Sequence, residues 1–122
     1  MRVKDAVGRF GEDLAAAYLI DAGLTILDRN WRCSDGELDI VAREAGAIVF
    51  VEVKTRSTVR YGDPAEAVTP AKVARIRRLA VQWLTERRAG GSDCRGELRF
   101  DVVSVVRLAA NGPDVRHLRA AF

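Results

Sequence analysis

Two runs rich in β-branched residues, at positions 38–42 and 47–53, are separated by little more than Ala45-Gly46. So short a connection between such runs predicts a β-hairpin. Yet Asp39 and Glu52 lie inside the runs and Lys54 just beyond the second. Side chains alternate along a strand. Phe50, Glu52 and Lys54 therefore share one face, and Val49, Val51 and Val53 the other. On the preceding run Glu37, Asp39 and Val41 oppose Leu38 and Ile40. A loop made of Ala45-Gly46 sets Asp39 directly across from Glu52. Any even-numbered loop keeps both acids on one face, and an odd loop separates them. The even loop is the expectation.

Two carboxylates ~4 Å apart, at an effective dielectric of ~20, repel by on the order of 4 kcal/mol. Like charges on cross-strand neighbours destabilise a sheet, so folding alone does not favour the pair. Lys54, or protonation of one acid, offsets part of the repulsion. A divalent cation offsets it better, and clustered hard oxygens suit Mg²⁺ or Mn²⁺. The competing reading is a salt-bridge network on the surface. Glu12 is a third acid to weigh. On a helical wheel it lies away from the Val7–Phe10–Leu14 stripe, among Gly8, Gly11, Ala15, Ala16 and Leu19. Small residues let a helix lie close to a sheet and would bring Glu12 toward the strand acids. The alternative is an exposed glutamate near the positive end of a helix.

Around the hairpin, Val7, Phe10, Leu14 and Tyr18 predict a helix over residues 5–22, ended by Gly23. A strand is expected over 24–30. Thr69 suits an N-cap and Pro70 the first helical position of a second helix reaching Arg88. Its apolar face holds Val73, Ile76, Ala80, Trp83 and Leu84, and Gly90-Gly91 stops it. "LRFDVVSVV" reads as a further strand and residues 115–118 as a short last one. The order α-β-β-β-α-β-(β) predicts an α/β fold, a mixed sheet covered by helices. At 122 residues, one domain is the natural reading. No apolar run approaches the ~20 residues a membrane helix needs, and the first residues lack a signal peptide's apolar core. Cys33 and Cys94 stand alone, which predicts reduced thiols in the cytoplasm. The net charge is +3, but residues 69–88 hold six basic residues and one acid, a local +5. A polyanionic partner explains that asymmetry; a solvated helix face explains it as well.

Asp39, twelve residues, then Glu52-Val53-Lys54 resembles the PD-(D/E)xK nuclease signature in a relaxed form without the proline. The wider set "GRFGEDLAAAYL", "GELDIVA", "VFVEVKTR", "YGDPAEAV", "RFDVV" and the terminal "AAF" resembles the YraN-type family of bacterial proteins across essentially the whole chain. That family is regarded as endonuclease-like and akin to archaeal Holliday-junction resolvases. The resemblance implies a single-domain, restriction-endonuclease-like αβββαβ core with a metal at one edge of the sheet. By position, Asp39 and Glu52 would be the metal-binding acids and the backbone carbonyl of Val53 a further ligand. Lys54 would be the motif lysine, and Glu12 the helical glutamate near the metal. Glu37 and Asp101 also match family positions. Glu37 is a candidate support for the acids, whereas Asp101 is equally a candidate anchor of the fold.

The expected reaction is phosphodiester hydrolysis assisted by Mg²⁺ or Mn²⁺, with Lys54 orienting or activating the attacking water. Arg56, Arg60, Tyr61 and Lys72 are the candidate nucleic-acid contacts, with Tyr61 available for stacking. Arg75, Arg78 and Gln82 would touch backbone phosphates at most. Trp31 is a further stacking candidate, while Trp83 falls on the apolar helix stripe and reads as core. His117 has no evident partner. DNA is expected over RNA, and branched DNA on the resolvase likeness alone. A resolvase cuts two strands symmetrically, which calls for a homodimer; a helicase is a candidate partner. The alternative is a nucleic-acid-binding module with the same fold and negligible or partner-dependent activity.

Overall fold

The computed structural model describes residues 3–57, 68–92 and 94–122. Helix α1 (Val3–Asp21) leads into three strands, β1 (Thr25–Cys33), β2 (Gly36–Glu44) and β3 (Ala47–Arg56). Helix α2 (Pro70–Ala89), β4 (Glu97–Val106) and β5 (Asp114–Leu118) complete the chain. The strands form one sheet in the order β1-β2-β3-β4-β5. β3 and β4 run parallel and the other neighbours antiparallel. A parallel pair needs a long crossover, and α2 supplies it. This is the expected mixed sheet with its αβββαβ core.

Each helix closes one face of the sheet. On the α2 side Phe50 sits between Trp83, edge-on at 5.8 Å, and Phe100, stacked at 5.5 Å. Ile76, Leu79, Ala80 and Leu84 complete that cluster from the helix. Trp83 is therefore core, and its indole Nε1 donates to Asp28 Oδ2 at 3.0 Å, as a buried indole N–H requires. Trp31 packs partly buried against the same cluster. On the other face Ala15, Ala16 and Leu19 of α1 meet Ile40, Ala42, Val49, Val51, Val103 and Val105. No helix among the described residues is long and apolar enough to cross a membrane.

The buried face of α1 is not its bulky stripe. Phe10 and Tyr18 remain 39% and 40% exposed, whereas Gly11, Ala15, Ala16 and Leu19 are buried. Helical periodicity is the same for both faces, so spacing alone favoured the larger side chains. Backbone proximity decides the matter. A Cβ on Gly11 would overlap the Thr55 hydroxyl and stand 2.8 Å from Thr55 Cβ. Only glycine lets α1 settle this near β3.

Candidate metal and phosphodiester site

The β2–β3 ladder runs from Glu44↔Ala47 to Ile40↔Val51, so Ala45-Gly46 is the whole loop. The even loop is borne out. One step beyond the last rung, side-chain chemistry takes over from the main chain: Val53 N donates to Asp39 Oδ2 at 2.8 Å. Strict alternation fails at this end of β2. Leu38 packs with the α2-side cluster, although Ile40, two residues on, packs with the α1 side. On β1, Asn30 lies between the partners of these two residues and has a left-handed φ of 52°. Asparagine tolerates that conformation better than most residues. The Asn30 side chain hydrogen-bonds to Glu12 on α1.

Carboxylate oxygens of Glu12, Glu37 and Asp39 lie within 4.8 Å of one another. They come from α1 and β2, and the close seat of Gly11 is what brings Glu12 to the strand. Glu37 also accepts from Arg32 Nε at 2.6 Å. Burial pushes Asp39 up to about 8, reinforced by the charges of Glu52, Glu12 and Glu37 and opposed by the Val53 N–H. Burial, and then Glu37, raise Glu12 as well, against the Asn30 hydrogen bond. Burial and the surrounding carboxylates thus hold Glu12 and Asp39 toward their protonated forms.

Glu52 stands next to Asp39 but turns toward lysines. Its Oε1 lies 2.9 Å from Lys72 Nζ and 3.7 Å from Lys54 Nζ. Burial, followed by the neighbouring Lys72, pulls the Lys54 ammonium below the usual lysine range, against Glu52 and Asp39. Burial works against the charge on Lys72 too, yet Lys54 and Glu52 hold its proton above the ordinary value. A cleft of about 430 Å³ opens beside these groups, lined by Gly8, Glu12, Val53, Lys54, Thr55 and Ser57. The site thus sits at one end of β3, between the middle of α1 and the first turn of α2.

Glu12, Asp39, Glu52 and Lys54 therefore converge, and Glu37 joins the acids. Val53 contributes its N–H to Asp39. Lys72 faces Glu52 from within the site. Arg56 closes β3 half-buried, its carbonyl accepting from Arg107 N at 2.8 Å. Arg60 and Tyr61 fall outside the described residues. Asp101 is fully buried and engaged elsewhere: it accepts from Arg99, His117 Nε2 at 2.7 Å and Ala120 N at 2.9 Å. Burial alone would raise its pKa, but these donors lower it to about 2. It anchors the C-terminal residues to β4. Sequence reasoning missed Asn30, whose signal was an asparagine inside a strand run. It also missed the Asp101 partner of His117, which depends on a β4–β5 register that no short turn fixes.

The chain belongs to a bacterial family that has a sequence model of its own, described as Uncharacterised protein family UPF0102, which matches residues 11–105. Among similar proteins, a UPF0102 protein of Frankia casuarinae is 54% identical over 122 residues, all of both chains. Another, from Beutenbergia cavernae, is 53% identical over 119 residues, 98% of each chain. A third, from Frankia alni, is 54% identical over the full chain and 98% of its own. The span matched by the family model, residues 11–105, takes in every acid of the site and both lysines.

Proposed function

We propose that the chain is a divalent-metal-dependent endonuclease that hydrolyses phosphodiester bonds in DNA, with branched or structured DNA as the preferred form. One observation carries the reading: Glu12, Glu37 and Asp39 converge within 4.8 Å beside Glu52 and Lys54 at the mouth of a cleft. Such a group costs folding energy and suits a hard cation. Ligand oxygens around Mg²⁺ stand ~2.1 Å from the ion, so opposite ones are roughly 4 Å apart. The trio needs only a small closure to reach that spacing, and Asp39 then gives up its proton. Asp39 and Glu52 would hold the ion, with Glu12, Glu37 and the Val53 carbonyl completing its surroundings. Bound there, Mg²⁺ or Mn²⁺ would supply a Lewis acid that polarises the phosphodiester and acidifies water.

The chain's own groups account for the remaining chemistry. Lys54 lines the cleft and meets the water or the charge growing on the phosphoryl oxygens. Its lowered pKa makes its ammonium a readier proton donor than an ordinary lysine. Along α2, Arg75, Arg78 and Arg88 are exposed and supply contacts to backbone phosphates. Symmetric incision of a junction would require two copies of the chain.

The test incubates the purified protein with labelled four-way junction, flap, duplex and single-stranded DNA, in Mg²⁺, Mn²⁺ or EDTA. Cleavage is expected with either metal and none with EDTA. Asp39→Ala and Lys54→Ala should each reduce it by at least about a hundredfold. Cleavage that persists in EDTA, or in both variants, defeats the proposal. Binding without cleavage of any substrate moves the assignment to a nucleic-acid-binding module.

A further inference from the structure

Lys72 lies in a place that helix energetics disfavour. It occupies the first turn of α2, where the unpaired N–H groups and the helix dipole favour acids, and that turn holds none. Its backbone is fixed by the N-cap, with Lys72 N donating to Thr69 Oγ1 at 3.2 Å. Its side chain is 20% exposed and ends 2.9 Å from Glu52 Oε1, itself 13% exposed. Lys54 meets the same oxygen at 3.7 Å. Among the described residues, both ion pairs of Glu52 end on Oε1, and Glu52 stands outside the trio of Glu12, Glu37 and Asp39. The four acids are thus divided: three crowd one another and the fourth is neutralised by lysine.

We infer that Lys72 is the resident counter-cation of Glu52, and that a divalent ion entering the site displaces it from that carboxylate. Lys72 is then a positioning residue that tunes metal choice. A monovalent ion brings no more charge than the ammonium and lacks its hydrogen bond, so it does not dislodge Lys72. A divalent ion gains the three crowded acids and Glu52 together, and does. The same ion pair keeps Glu52 tolerable in the fold before metal arrives. This inference rests on the proposed metal site.

The test measures Mn²⁺ binding by calorimetry, without nucleic acid, in the wild type, Lys72→Gln, Lys72→Arg, Glu52→Gln and the Lys72→Gln/Glu52→Gln double variant. Lys72→Gln should bind Mn²⁺ about tenfold more tightly than the wild type. Its melting temperature should be lower without metal and rise more when Mn²⁺ is added. Lys72→Arg should match the wild type, and in the Glu52→Gln background the loss of Lys72 should leave affinity unchanged. A lysine that merely braces Glu52 predicts the opposite sign, because its loss would loosen a ligand and weaken binding. Unchanged or weaker binding by Lys72→Gln overturns the inference, as does an equal gain in the Glu52→Gln background. A measurement on the wild type guards against a variant that fails to fold. Acetylation of the Lys72 amine, followed by mass spectrometry, should accelerate severalfold when Mn²⁺ is added, and an unchanged rate overturns the inference. A wild type that binds no Mn²⁺ sinks the nuclease reading as well, whereas wild-type binding indifferent to Lys72 sinks this inference alone.

Discussion

Asp39 links the sheet to its chemistry, since one oxygen caps the broken ladder through Val53 N while the carboxylate faces three other acids. Its pKa of about 8 stands above the ordinary 3.8, so the metal-free folded chain keeps a proton there that the unfolded chain has lost. The sign follows: the Asp39 contribution to stability is full below 3.8 and is lost as pH rises from 3.8 to about 8, by up to about 1.4 kcal/mol per pH unit. Urea melts in EDTA across that range should show the decline, and Asp39→Asn should flatten it. The two-residue hairpin loop was legible in the sequence, and with it the nearness of Asp39 and Glu52, whose charges act on each other one step past the last rung. The turn of Leu38 to the far face was not, because it accompanies the left-handed Asn30 on another strand. Nor was the Lys72–Glu52 pair, which spans a helix and a strand whose relative placement is tertiary. In the sequence Lys72 read as a substrate contact.

At the scale of elements, the site depends on how near α1 comes to β3. Gly11 permits that approach and Glu12, the next residue, benefits from it. Gly11→Ala should destabilise the fold by roughly 1–3 kcal/mol through overpacking. Removing the overlapped hydroxyl and methyl by Thr55→Ala should recover part of the loss, as a double-mutant cycle in urea would measure. The small face of α1 was visible in the sequence, as was its use in lowering Glu12 to the sheet. That it replaces the Phe10–Tyr18 stripe as the buried face was not, since hydrophobic size and burial diverge when backbones touch. The hairpin carries a second strain: Ala45 has a φ of 51° in the two-residue loop. Left-handed backbone costs a residue with a side chain ~1–2 kcal/mol. Ala45→Gly should therefore raise the melting temperature, by an amount equivalent to no more than about 1 kcal/mol after glycine's entropy loss.

Across the whole molecule, two charge clusters divide the labour. One, around Asp101, is saturated: Arg99 joins it to Glu44, His117 comes from β5, and Ala120 N from the C-terminal turn. Its pKa, lowered to about 2, means that stability is present above 3.8 and lost as pH falls toward 2. Asp101→Asn should destabilise the fold by about 3 kcal/mol in urea melts while leaving Mn²⁺ affinity unchanged. The other cluster, around Asp39, is unsaturated in negative charge, and that imbalance is the basis for reading it as a cation site. Sequence order and the parallel crossover through α2 made the α/β architecture legible. The separation of the two clusters was hidden, because Asp39 and Asp101 look alike as acids in valine-rich strands until their partners are known. The most direct test of the central claim is Mn²⁺ binding followed by electron paramagnetic resonance across neutral pH, for wild type and Asp39→Asn. A carboxyl that titrates at about 8 and must lose its proton predicts affinity rising up to about tenfold per pH unit below that value and levelling above it. Asp39→Asn should bind far more weakly and without that slope. No saturable Mn²⁺ binding, or binding that Asp39→Asn leaves intact, would contradict the account.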